Sequence, residues 1–246
     1  MSPTPSPDAA AVLRDAPSLR LVEVPPPPVP PRHREAADLL WEAETRARPE
    51  ALFDGPVVVC ASLAREADGG WALAWAPAAY RHFTLRRVPG ATPLPSVFVT
   101  VVQPDEDGAL LVGRTGPATA VPGRWQLPGG SVEPPNGGPL DLAELGRQAA
   151  RELAEETGTR TPPGDLVLWA VSEGEYGNVG VHFRAPPLPA AALRASFADL
   201  LAAERAAGRR PEFAACALIN AAADLATFPH PHADYLAPVL HRWTHS

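Results

Sequence analysis

The chain has 246 residues, a formal net charge of -7 and 46% hydrophobic residues, enough for one catalytic domain with a smaller segment appended. That acidic balance excludes a general nucleic-acid binder, because phosphate backbones select Lys/Arg-rich faces. Cys60 and Cys216 form no paired spacing and read as free thiols of a reducing compartment. With no basic, apolar leader and no run near about 18 apolar residues, neither a signal peptide nor a membrane span is expected, and the expected location is cytoplasmic.

Residues 1 to 33 carry the run Pro25 to Pro28 with Pro30 and Pro31, a polyproline II composition that resists packing. This segment is expected to be loose or disordered. A small α+β segment is expected over residues 34–92. Its helix spans Glu35 to Arg48, with Leu39, Leu40 and Trp41 on the buried side, and Pro49 stops it. Its strands are Pro56 to Ser62 and Trp71 to Trp75, joined by a turn at Asp68-Gly69-Gly70.

The remaining residues, 93–246, form the main domain. Val97 to Val102 reads as a buried strand by its β-branched content. Leu110 to Arg114 returns from a turn at Asp105 to Gly108, and Trp125 to Leu127 leads into Pro128-Gly129-Gly130. A helix is expected from Leu140 to Thr157, ended by Gly158. Strands follow at Leu166 to Val171, Val179 to Arg184 and Phe213 to Ile219, with helices at Leu193 to Ala207 and Asp234 to Trp243. This order predicts an α/β (α+β) fold with a mixed sheet sandwiched between helices. His82, His182, His230 and His232 show no zinc spacing, and His230-Pro231-His232 reads as a surface loop.

The chemistry is concentrated in Arg151-Glu152-Leu153-Ala154-Glu155-Glu156-Thr157-Gly158. Glu152, Glu155 and Glu156 stand at i, i+3 and i+4, which puts them on one side of a helix. Like charges at that spacing weaken a helix, and a hard divalent cation turns the liability into a site. Leu142, Leu145, Ala149 and Leu153 form an adjacent apolar stripe that can pack on the sheet. Arg151 precedes Glu155 by four positions and can orient that carboxylate. Gly129-Gly130 can bring backbone carbonyls close to a metal, since glycine has no obstructing side chain. A solvated acidic helix would account for three glutamates alone. The Gly-Gly pair, the Arg-Glu pair and the terminal glycine weigh against it.

On these residues the chain resembles the Nudix hydrolase superfamily, whose box reads G-x5-E-x7-R-E-U-x-E-E-x-G-U, with U a bulky aliphatic residue. Trp125 to Gly130 looks like the lead-in and Arg151 to Gly158 matches the second half. The first half departs from the pattern: Gly130 to Arg151 spans 21 positions where the box has 14, so about seven residues within Glu133 to Leu140 look inserted. Ala143 occupies the position of the first glutamate, with Glu133 and Glu144 as substitutes, and Thr159 takes the final aliphatic position.

The resemblance implies a Nudix α/β/α fold over about residues 94–243, with Mg²⁺ or Mn²⁺ held by Glu152, Glu155, Glu156 and the Gly130 backbone. It implies water attack on a pyrophosphate bond, with Arg151 supporting the catalytic glutamates. The base is left open among the helix glutamates, Glu173 and Glu175. Arg114, Trp125 and Tyr176 are candidate substrate contacts. Trp41-Glu42, Pro49, Leu52-Phe53-Asp54, Pro56 and Tyr80-Arg81-x-Phe83 are similar to the leading segment of animal UDP-glucose pyrophosphatases of the superfamily, which implies a UDP-sugar substrate. ADP-ribose and dinucleoside polyphosphates are rivals, and a non-catalytic nucleotide-binding regulator is the alternative of a different class. The expected partner is a small nucleotide, with no nucleic-acid polymer and no membrane. A homodimer is a possible assembly.

Overall fold

A computed structural model describes residues 10–49 and 52–245. In chain order the elements are β1 (Val12–Asp15), β2 (Leu19–Glu23), α1 (Pro31–Ala47), β3 (Pro56–Arg65), β4 (Trp71–Ala79), β5 (Val97–Val102) and β6 (Leu110–Thr115). They continue with β7 (Trp125–Gln126), β8 (Gly129–Ser131), α2 (Leu142–Thr157), β9 (Val167–Glu173), β10 (Val179–Arg184), α3 (Ala190–Ala206), β11 (Phe213–Ile219) and α4 (Leu236–Trp243). Three sheets result, ordered β1-β9-β10-β5-β8, β11-β6-β7 and β2-β4-β3. β5 runs parallel to β10 and antiparallel to β8, so the sheet is mixed as expected.

The layering follows from the pleat of β5. Val97, Val99 and Val101 point into one core with Leu145, Ala149 and Leu153 of α2. Phe98 and Val102 point to the other, beside Leu236, Val239 and Leu240 of α4. Alternating residues of one strand serve both faces, and α2 and α4 cover them from opposite sides. The result is an α/β/α sandwich.

The N-terminal part shares this core. Leu19, Val58, Trp71, Leu73 and Trp75 belong to the same apolar cluster as the α2 stripe. Backbone bonds reinforce the join: Val58 N donates to Val132 O at 2.8 Å and Cys60 N to Pro95 O at 2.8 Å. The expectation of a loose 1–33 segment does not hold for its strands. β1 pairs antiparallel with β9 and β2 parallel with β4. Each uses an open sheet edge, and the indole Nε1 of Trp71 donates to Asp15 O at 2.8 Å. Residues 1–9 of that segment lie outside the described residues. The prolines between β2 and α1 have a local role: Pro31 starts α1 at N1, where its missing N–H costs nothing.

Leu39 was expected on the buried side of α1 but is 67% exposed. The buried residues are Ala37 and Trp41, because the helix docks on Leu85 and Val88, which rotates Leu39 outward. The residues at 134–139 form no regular structure, and Asn136 to Pro139 are exposed, as an inserted Pro/Gly loop requires. Among the described residues no helix is long and apolar enough to cross a membrane.

Candidate active site

α2 is a well-delimited helix. The Asp141 side chain accepts from Glu144 N at 2.8 Å at its start, and Gly158 ends it in the left-handed region at φ 73°. Burial of Leu145, Ala149 and Leu153 against the sheet fixes the rotation of the helix. Glu152 and Glu156 are thereby turned toward β8.

Glu156 is 1% exposed. Its Oε2 accepts the Gly129 N–H at 2.7 Å, while its Oε1 is buried with no hydrogen-bond partner. Burial, and then the charge of Glu212, push its pKa well above the ordinary carboxylate range. Glu152 lies against Gly130: a Cβ built on that glycine would stand 2.7 Å from the carboxyl carbon. A side chain there would displace the carboxylate, whereas the backbone angles at Gly130 demand no glycine. Burial drives the Glu152 pKa up to about 7 against the lowering effect of Arg151. Glu155 stands at the rim with its side chain 62% exposed.

Arg151 threads the group together. Its guanidinium is 3.4 Å from Glu152, 3.5 Å from Glu133 and 4.0 Å from Glu155. Glu133, in the inserted loop, thus reaches the box arginine, and Gln148 fastens its backbone by two bonds of 2.9 and 3.0 Å. Glu144 is instead engaged by Arg147 at 2.7 Å and Gln148 at 3.1 Å. Of the two substitutes for the missing glutamate, Glu133 is the one that touches Arg151.

Sequence reasoning missed Glu212. It sits immediately before β11 and keeps solvent contact. Crowding by surrounding protein, and then the charge of Glu155, push its pKa up, and its own charge raises Glu152 and Glu156. No spacing links position 212 to the box. Only the pairing of β11 with β6 and its contact with α2 carry Glu212 to the carboxylates. Glu173 and Glu175 stand elsewhere: Glu173 pairs with Arg14 at 3.0 Å, and the Glu175 N–H donates to Asp234 at 2.9 Å.

The candidate substrate contacts are dispersed. Arg114 is half-buried on β6 with its Nε lacking a partner, directly across from Trp125. Trp125 is 7% exposed and packs edge-on against Phe228 with ring centroids 4.7 Å apart, a core position. Tyr176 occupies a turn at φ 58° before β10, with the Arg86 guanidinium 5.9 Å from its ring centroid.

A cavity of about 720 Å³ opens beside Glu155 and Glu212, lined also by Arg147, Arg151, Arg160 and Arg210. A second, of about 730 Å³, lies across the Arg210-Pro211-Glu212 segment, toward Phe53 and Tyr80.

Among the described residues, no three carboxylate, imidazole or thiol groups converge tightly enough to ligate one ion as they stand. The donor set nevertheless fits a hard divalent cation. Glu156 Oε1 is an unsatisfied buried acceptor, the Glu152 carboxylate occupies the space a side chain at position 130 would take, and the exposed Glu155 can turn inward.

Comparison with known proteins agrees with this geometry. The NUDIX domain family matches residues 92–239. The chain belongs to the NUDIX family. No curated protein matches it by sequence. Among solved structures it is similar to the MutT protein from Methanosarcina mazei Go1, at 21% identity over 61% of this chain and 94% of that one, with a TM-score of 0.42. MutT from Aliivibrio salmonicida and Vibrio cholerae is 16% identical over 61% of this chain and 97% of that one, at 0.37. RenU, a Nudix hydrolase from M. smegmatis, is 18% identical over 61% and 81%, at 0.31. As a NUDIX hydrolase the chain acts on pyrophosphate bonds of nucleoside diphosphate derivatives with a divalent metal ion.

Proposed function

We propose that this NUDIX hydrolase is a Mg²⁺-dependent pyrophosphatase, with Mn²⁺ as a substitute, that cleaves a nucleoside diphosphate linked to a sugar. The observation that carries the site is the buried Glu156, with one oxygen held by Gly129 and the other without a partner. Glu152, Glu155, Glu156 and the Gly130 carbonyl would hold the cation. When bound, it supplies charge neutralisation of the diphosphate and orientation of its oxygens.

The chain's own groups do the rest. Glu212, which lines the cavity beside Glu155 and whose pKa is raised by burial, takes a proton from the attacking water as the general base. The water oxygen bonds to one phosphorus, and the bridging P–O bond breaks. The products are a nucleoside monophosphate and a sugar phosphate. Arg151 holds Glu152 and Glu133 in place. Arg210 and Arg160, lining the cavity beside Glu155, offer guanidinium groups to phosphate oxygens.

The UDP-sugar reading is supported by the leading segment. The residues that carry its resemblance come together here: Trp41 and Tyr80 have ring centroids 6.0 Å apart, Tyr80 and Phe83 5.3 Å, and Arg81 pairs with Asp54 at 2.5 Å. The test is a panel of UDP-glucose, ADP-ribose and a dinucleoside polyphosphate with Mg²⁺, read by phosphate release after phosphatase coupling. Preference for UDP-glucose supports the reading. Faster turnover of ADP-ribose or the dinucleoside polyphosphate replaces the substrate, and no turnover of any favours a nucleotide-binding regulator.

A further inference from the structure

We propose that the nucleoside half of the substrate seats in the second cavity, with its base stacked on Phe53. This deepens, and rests on, the reading of the chain as a hydrolase of nucleoside diphosphate derivatives. The two cavities share Arg210, Pro211 and Glu212. Both adjoin that one segment, and in this proposal a substrate cut beside Glu212 reaches over it, with one half on each side of the scissile diphosphate.

The chemistry of the walls assigns the halves. The cavity beside Glu155 is lined by four arginines and three glutamates and by no aromatic ring, which suits a sugar and phosphate oxygens. The other has two aromatic rings, Phe53 and Tyr80. Its volume of about 730 Å³ falls in the usual range for small-ligand sites, about 300–1,000 Å³.

Phe53 is 82% exposed, the most exposed of the large apolar residues in the described chain. A single exposed apolar side chain is ordinary. This one lines a cavity that shares Glu212 with the cavity beside Glu155, and its position is clamped. The neighbouring Asp54 accepts from Arg81 Nε at 2.5 Å and from Arg81 N at 2.9 Å. Tyr80 is fixed in turn by Trp41 and Phe83. The lining also includes Ala118, Thr119, Ala120 and Gly208, all small residues. Arg48 donates to Ala120 O at 3.3 Å and ties that loop to the end of α1. The N-terminal segment thus builds one wall of this cavity.

The test measures affinity and turnover separately. UMP and AMP binding is followed by calorimetry, and KM and kcat are followed on UDP-glucose and ADP-ribose with Mg²⁺. Phe53→Ala should weaken binding of the preferred monophosphate by about tenfold, the scale of one base–aromatic stack, with the loss in turnover carried by KM rather than kcat. Phe53→Trp should restore both. Exposure of the ring means that neither change threatens the fold, and thermal melting checks this. If the wild type hydrolyses a diphosphate and Phe53→Ala leaves affinity and KM unchanged, the subsite is overturned while the hydrolase reading stands. Failure of the wild type to bind either monophosphate also overturns it. Binding through Phe53 without hydrolysis of any diphosphate keeps the subsite and overturns the catalytic reading.

Discussion

Glu156→Gln separates what the carboxylate does for the fold from what it does for chemistry. The amide is isosteric, so its oxygen can still accept the Gly129 N–H that Glu156 takes at 2.7 Å. The change removes a charge that is 1% exposed and whose second oxygen has no partner. The pKa of Glu156 is raised by burial and by Glu212. Ionisation of the folded, metal-free chain therefore costs stability, and the cost grows as pH climbs above the ordinary carboxylate range. At pH 8.5 in EDTA the variant should be more stable by about 2 kcal/mol, the unpaired charge costing more than the unpaired amide that replaces it. For a chain of this size that is an increase in Tm of roughly 4–8 °C. With saturating Mg²⁺ the order should reverse, because a ligand stabilises only the form that binds it. Turnover should fall by at least about a hundredfold, or about 2.7 kcal/mol of barrier. Paired melting curves and coupled phosphate release measure all three. A variant that melts below the wild type in EDTA, or that keeps turnover within about twofold, refutes the assignment.

Gly130→Ala should leave Tm nearly unchanged but sharply reduce Mg²⁺-dependent turnover, because the three atoms nearest the added methyl all belong to the movable Glu152 carboxylate, 2.7 Å away, which it displaces. Gly129→Ala should instead lower Tm, since its φ is 155° and its Cβ would collide with the Val99 carbonyl and the Thr100 backbone beneath it; equal melting of the two variants would refute this contrast. The metal-free wild type should lose stability as pH rises from 4.5 through 7. Glu152, raised from 4.5 to about 7, is neutral and tolerated at the low end, and its ionisation removes about 3 kcal/mol by the high end. A flat Tm between pH 5 and 8 in EDTA would contradict that shift. Glu212→Gln should lower kcat by about 10²–10⁴-fold, the span of general-base catalysis, while leaving Mg²⁺ affinity by calorimetry less affected than Glu156→Gln does.

The main domain was legible because its signals are local. The β-branched runs Val97–Val102 and Val179–Arg184 form strands over the expected residues, and the α2 stripe of Leu145, Ala149 and Leu153 is fully buried. Where burial depends on a distant partner, the local reading failed. Leu39 has helical spacing suited to a core, but the helix packs against Leu85 and Val88, and nothing within α1 specifies that face. Val12–Asp15 and Leu19–Glu23 carry Arg14, Asp15, Arg20 and Glu23 and lie beside prolines. They become strands because β9 and β4 offer edges. Trp125, a candidate substrate contact by its place in the lead-in, is held in the core by Phe228, more than a hundred residues away. Glu212 was invisible for the same reason.

The carboxylate cluster explains why so much rigid structure surrounds it. Glu156 is buried and Glu152 half-buried beside Glu155 and Glu212, whose charges raise the pKa values of both. Repulsion of this kind favours any motion that lets a carboxylate reach water. Three constraints oppose such motion. The apolar stripe seats α2 on β5, the Gly129 N–H pins Glu156, and Gly158 ends the helix against α3, where a Cβ would collide with the Ser196 carbonyl. Two of these constraints, the apolar stripe and the Gly158 stop, act through backbone or packed aliphatic groups that do not titrate. A cation that neutralises the cluster then has only the exposed Glu155 side chain to draw in, and its binding free energy is not spent on ordering the helix.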